Sequence, residues 1–208
     1  METIFVHVDV ETTGSDPLTG SLLSIACVAV LESAPDEVIS HLYRRCKLSK
    51  PFSYDSETLS WWVDQDVRVH HEAFVPGADR LAPLRLFQDL EAWLHTIVGV
   101  GALLSGQECV VVPVADPGAF DRKWFDFALL GRRLPYVSHR TLCLRSMQYG
   151  IDRMGFNESR SERTTYTEPE FPHHPLSDAL SQASFLATIL VGQPLKGTPT
   201  ITFLGEQE

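Results

Sequence analysis

Two carboxylates stand two residues apart at the end of the apolar run Ile4-Phe5-Val6-His7-Val8-Asp9-Val10-Glu11. Side chains alternate faces along a strand, so Asp9 and Glu11 point the same way. Two like charges at the end of a buried strand are costly unless a cation lies between them. A hard divalent ion such as Mg²⁺, which selects carboxylate oxygens, fits that role. Two later segments carry acids in comparable places. The apolar run Val110-Val111-Val112-Pro113-Val114-Ala115 leads into Asp116, Pro117 and Gly118, then into a helix with Phe120 and Asp121 in its first turn. Farther on, His173-His174-Pro175 opens an apolar helix that carries Asp178. His173 and Asp178 are separated by about one and a third helical turns, so both can reach one cleft. Each acid alone also has an ordinary explanation. Asp9 and Glu11 could end a solvated strand, Asp121 could favour the helix dipole, Asp116 could cap that helix, and Asp178 could face water.

Taken in order, Asp9-x-Glu11, Phe120-Asp121 and His173-x-x-x-x-Asp178 resemble the three motifs of the DEDDh 3′-to-5′ exonuclease family. The resemblance spans roughly residues 3–190. A further stretch, Thr58-Leu59-Ser60-Trp61-Trp62-Val63-Asp64-Gln65, resembles the Thr-Leu-x-Trp-Trp-x-x-Gln segment of ribonuclease T-like bacterial and phage exoribonucleases.

The resemblance implies an α/β fold of ribonuclease H-like type, a mixed central sheet flanked by helices. It implies two divalent ions, Mg²⁺ with Mn²⁺ as a substitute, held by Asp9, Glu11, Asp121 and Asp178. Asp9 would bridge the two ions, and Asp121 would act largely through water. His173 would be the general base, favoured over His174 by its spacing from Asp178. An unperturbed imidazole pKa of about 6.5 suits that work. Thr12, Thr13, Gly14, Phe120, Trp61 and Trp62 would contact substrate. Gly14 permits close backbone approach, and an aromatic face can stack the terminal base. At least one of the two tryptophans is expected in the core. The sequence departs from the pattern at Asp116-Pro117, where relatives usually have Asn-Gly or similar. The extra acid either alters metal preference or caps the helix.

The activity so implied is exoribonuclease action from RNA 3′ ends, releasing nucleoside 5′-monophosphates. The same chemistry on single-stranded DNA is the alternative, because a 2′-hydroxyl contact is not visible in a sequence. A catalytically inactive 3′-end binder is a second alternative, opposed by the filling of all five site positions. The resemblance also implies a homodimer, for which Ile201, Thr202, Phe203 and Leu204 could supply an apolar contact.

Composition bounds these readings. A chain of 208 residues fits one domain, residues 1–208, with a core over about 3–191 and a tail over 192–208. A net charge of −10 argues against coating a long phosphate tract, but not against holding a chain end. Basic residues remain in two stretches: Arg44, Arg45, Lys47 and Lys50, then Arg122, Lys123, Arg132, Arg133, Arg140 and Arg145. They read either as phosphate tracking or as ordinary surface. Four cysteines without Cys-x-x-Cys spacing argue against structural zinc and fit reduced thiols in the cytoplasm. The chain opens directly on a strand, so no signal peptide is expected. The apolar stretch over 94–104 is too short to span a bilayer, so no membrane partner is expected.

To position the acids, the pattern predicts strands over 3–10, 21–32 and 37–47 as an antiparallel meander. It predicts a helical region over 56–73, a helix over 79–98, a strand over 109–114 and a helix over 118–130. Further helices are predicted over 141–150 and 174–191. The polar stretch 155–172 is expected to be a loop that gates His173.

Overall fold

The computed structural model of the chain describes residues 1–48, 56–153 and 169–201. Three long strands follow one another: β1 (Glu2–Thr12), β2 (Leu22–Leu31) and β3 (Ala34–Arg45). They form the predicted antiparallel meander. β4 (Cys109–Ala115) adds parallel to the free side of β1, and the short β5 (Leu142–Cys143) lies parallel beyond it. The sheet order is β3-β2-β1-β4-β5, so β1 is central. Six helices are described: α1 (Ser56–Val63), α2 (Val67–Phe74), α3 (Pro83–Ser105), α4 (Gly118–Ala128), α5 (Leu144–Arg153) and α6 (Pro175–Val191). The mixed α/β sheet flanked by helices agrees with the expected class.

β1 is buried on both sides, which is why it reads as a near-continuous apolar run. Its even residues Ile4, Val6, Val8 and Val10 share a core with Leu86, Leu90, Leu94 and Ile97 of α3 and with Trp124 and Phe125 of α4. Its odd residues face α6. Small side chains let α6 lie close to the sheet, with Ala179 and Ala183 meeting Ala26 and Val28 of β2. Pro175 at the first position starts α6, where its missing N–H is no loss, and Gly192 ends it in the left-handed region.

Three element boundaries differ from the pattern reading. The helical region after residue 56 is two helices, because Asp66 accepts a hydrogen bond from the Arg68 N–H at 2.8 Å and starts α2 afresh. α3 runs on to Ser105 through Gly99 and Gly101, which lower helix propensity. Gly101 earns its place by packing: a Cβ there would come within 2.8 Å of Ile4 Cδ1. The helix predicted from residue 141 begins instead with β5, since Leu142 and Cys143 pair with Val114 and Ala115.

The tail docks on the outer strand, where the Lys196 N–H donates to the Asp36 carbonyl at 2.7 Å. All four cysteines are free thiols. No described helix is long and apolar enough to cross a membrane. Lys50, most of the expected gating loop, and Thr202, Phe203 and Leu204 of the expected dimer contact lie outside the described residues.

Candidate active site

The site forms where β1 outruns β4. Pairing of the two strands runs to His7 against Val114. Beyond it, the Val10 N–H is taken by the Asp121 carboxylate from α4. The pairing of β1 with β2 shifts register between Glu11 and Thr12. A shift of this kind at a strand end re-aims the side chains that follow. Asp9 and Glu11, ahead of that shift and on one strand face, project from the central strand, Asp121 from α4, and His173 and Asp178 from the start of α6. All five line one cleft of about 700 Å³. Ligand atoms of Glu11, His173 and Asp178 lie within 4.8 Å of one another.

This grouping is electrostatically unbalanced. Burial pushes the carboxyls of Asp9, Glu11 and Asp121 well above the usual range, and neighbouring carboxylates push them further. Burial raises Asp178 to about 7, against an opposing hydrogen bond from the His173 N–H. Among the described residues, no lysine or arginine pairs with Asp9, Glu11, Asp121 or Asp178; Arg145 pairs with Asp116 at the cleft wall. His7 shares the strand face of Asp9 and Glu11, but burial drops its ring to about 3, so it is uncharged. His173 is also shifted down by burial. Asp121 Oδ2 is buried without a hydrogen-bond partner among the described residues. Hard oxygen donors that include an unpartnered buried oxygen suit a divalent ion such as Mg²⁺ or Mn²⁺.

The two adjacent histidines are placed differently. His173 adopts φ +65°, a left-handed conformation rare outside glycine, and its ring meets Trp61 edge-on at 4.6 Å. His174 faces away and is buried against the Tyr43 ring at 5.1 Å. The two tryptophans divide likewise. Trp61 is 38% exposed and lines the cleft. Trp62 is 1% exposed, and its indole N–H donates to the Thr12 carbonyl at 3.0 Å. It has no face left for a base, so its expected substrate contact is corrected to a structural one.

Thr12, Gly14 and Phe120 line the cleft as expected. Thr13 does not. It is buried and exchanges hydrogen bonds with Ser21, donating from its N–H at 3.0 Å and accepting at Oγ1 at 2.8 Å. Its role is to fasten the loop after β1. Asp116 does not cap α4, whose cap residue is Pro117. It lines the cleft and accepts a hydrogen bond from Arg145 Nε at 3.0 Å.

Motif reasoning missed Glu57, Thr58 and Gln182, which also line the cleft. Gln182 is 1% exposed, and its Nε2 donates to Asp9 Oδ1 at 3.1 Å, holding that carboxylate in place. The signal was available. Glu57 and Thr58 precede Trp61 by one helical turn, and Gln182 follows Asp178 by one turn, so they share its face.

A family model described as the 3′-5′ exoribonuclease Rv2179c-like domain matches residues 4–190. No functionally curated protein matches the sequence. Among solved structures, the chain is similar to E. coli exonuclease I in complex with a dT13 oligonucleotide, at 13% identity and a TM-score of 0.57. That match covers 89% of this chain and 41% of the other. The zinc-bound E. coli exonuclease I–single-stranded DNA complex matches at 14% identity and a TM-score of 0.57, over 92% of this chain and 42% of that one. The chain thus spans about two fifths of the length of these structures, and the likeness is one of fold.

Proposed function

The chain belongs to the Rv2179c-like 3′-5′ exoribonuclease domain family, and from that membership we propose that it removes nucleoside 5′-monophosphates from the 3′ end of RNA. The observation that best supports this reading is the convergence of Asp9, Glu11, Asp121, His173 and Asp178 in one cleft. Asp9, Glu11, Asp121 and Asp178 would hold two divalent ions, Mg²⁺ or Mn²⁺. When bound, such ions neutralise the carboxylates, acidify a water and stabilise the charge on the leaving 3′ oxygen.

The chain's own groups do the rest. His173, shifted toward its neutral form by burial, accepts the proton of the attacking water. The hydrogen bond from Gln182 holds Asp9 in its working orientation. Trp61 offers the terminal base an aromatic face. Gly14 admits the terminal sugar close to the backbone. The free thiols fit a reducing compartment, and the cytoplasm is the proposed location.

Matched, 5′-labelled single-stranded RNA and DNA oligonucleotides, incubated with Mg²⁺ or Mn²⁺, test the proposal. The wild type should give a ladder shortening from the 3′ end, faster on RNA. Asp9→Ala should slow it by at least about 10²-fold, since it removes one of the carboxylates that would hold the ions. Shortening faster on DNA would change the substrate class. No shortening of either polymer would overturn the reading.

A further inference from the structure

Among the described residues, six carboxylates line the cleft: Asp9, Glu11, Glu57, Asp116, Asp121 and Asp178. Among the described residues that line it, Arg145 is the one lysine or arginine. Three other cations of its stretch have partners outside the carboxylate cluster. Arg122 pairs with Asp126 at 2.9 Å and donates to the Ser138 carbonyl, Lys123 lies over the Phe120 ring at 4.9 Å, and Arg132 lies over Phe87 at 4.9 Å. Arg145 stands in the first turn of α5, its Nε bound to Asp116 Oδ1 and its side chain 69% exposed.

The sheet order fixes which side of the cleft this is. α5 follows β5 at one edge of the sheet, whereas α1 is anchored by Trp62 against Leu23 of β2, on the other side of β1. Arg145 and Trp61 therefore stand on opposite walls, with Asp9 and Glu11 between them. Substrate chemistry limits what a guanidinium so placed can meet. A 3′-terminal nucleotide with a free hydroxyl carries one phosphate, the scissile one, and that phosphate must sit at the carboxylate centre. A cation on the wall can reach a second phosphate only one nucleotide upstream.

We propose that Arg145 is a specificity-determining residue that binds the phosphate one nucleotide upstream of the scissile bond. The inference rests on the exonuclease reading. Asp116 has two effects on Arg145. It holds the guanidinium at the rim, away from Asp9 and Asp121, which would otherwise draw it inward. It also presents the fork already oriented for an oxyanion. Asp116 takes only Nε, so a phosphate oxygen would be met by the other edge of the guanidinium while that bond persists. The consequence is a length threshold: a trinucleotide without terminal phosphates has the upstream phosphate, and a dinucleotide lacks it.

The test is steady-state release of mononucleotide from a matched trinucleotide and dinucleotide, neither with a terminal phosphate, by the wild type, Arg145→Ala and Arg145→Lys. Arg145→Ala should raise KM for the trinucleotide about tenfold with kcat unchanged, and leave the dinucleotide unaffected. Arg145→Lys should recover part of the loss. For a longer single strand, the slope of log affinity against log salt should flatten by about 0.7 in Arg145→Ala, the share of one phosphate contact. An equal loss of kcat on both substrates would place Arg145 at the scissile phosphate and overturn the proposal. No change on either would leave it an ordinary surface residue and overturn it as well. A wild type that releases nothing from either substrate would instead sink the exonuclease reading, and this proposal with it.

Discussion

His173 and His174 are neighbours in the chain with opposite surroundings, and their substitutions should behave oppositely. His173 lines the cleft in a backbone conformation that favours glycine. His173→Ala should lower turnover by about 10²- to 10⁴-fold, the range of a lost general base, with little change in melting temperature. His174 is buried against Tyr43. His174→Ala should lower the melting temperature through the space it leaves, while turnover of the folded protein stays within about tenfold of wild type. Parallel activity and thermal-shift assays on the two variants check this, and the reverse pattern would move the base to His174. Trp61 and Trp62 repeat the contrast. Both pairs show that two adjacent residues of one type can serve the cleft and the core separately, because successive side chains point in different directions.

At the level of elements, the alternation of β1 and the one-turn spacing along α6 carry most of the site. Asp9 and Glu11 share a strand face, and Asp178 and Gln182 share a helix face. Another layer supports them from behind. Arg45 of β3 is buried and donates to the Glu72 and Val75 carbonyls at 2.9 and 2.7 Å, and it pairs with Asp79 at 2.9 Å. Glu72 in turn accepts from the Tyr43 hydroxyl at 2.8 Å, and the Tyr43 ring backs His174. Arg80 also donates to both carbonyls, at 3.1 and 2.9 Å, so what Arg45 alone supplies is the buried charge that faces Glu72 at 3.6 Å. Arg45→Ala should lower the unfolding free energy by about 3–5 kcal/mol, read by urea denaturation. A loss below about 1 kcal/mol would mean that water replaces the guanidinium. The element boundaries that pattern reading missed have local causes. A two-residue strand such as β5 is too short to show a period, and Gly101 lowers the propensity of α3 where close packing on β1 needs it.

For the molecule as a whole, the cleft carboxylates oppose folding when they are charged and unpartnered. Their folded pKa values lie above the unfolded ones, so the native state binds more protons than the unfolded state. Stability of the metal-free protein is therefore lost as pH rises from the unfolded carboxylate range, about 4, through the Asp178 value of about 7. A divalent ion relieves that penalty only where the carboxylates are ionised. Mg²⁺ added to chelator-treated protein should raise the melting temperature by several degrees at pH 8 and by much less at pH 5. Differential scanning calorimetry at the two pH values reads the difference, and an equal shift at both would mean the ion binds elsewhere. The same imbalance explains how a chain of net charge −10 can act on a polyanion. Carboxylates of the cleft lie where cations would be held, and the cleft wall carries Arg145.

The order and spacing of Asp9, Glu11, Phe120-Asp121, His173 and Asp178 were enough to indicate the family and the reaction class, and the apolar runs over 3–10, 21–32 and 37–47 indicated the sheet meander. Strand and helix periods are local properties, and they say which side chains share a face. They do not say which faces meet. The packing of α1 against β2 left Trp61 at the cleft and put Trp62 under it. The Ser21 contact took Thr13 out of the site. The pairing of β5 with β4 brought Arg145 to Asp116 across 29 residues of chain. These outcomes depend on contacts distant in sequence, whose geometry is set by the whole sheet and the helices packed on it.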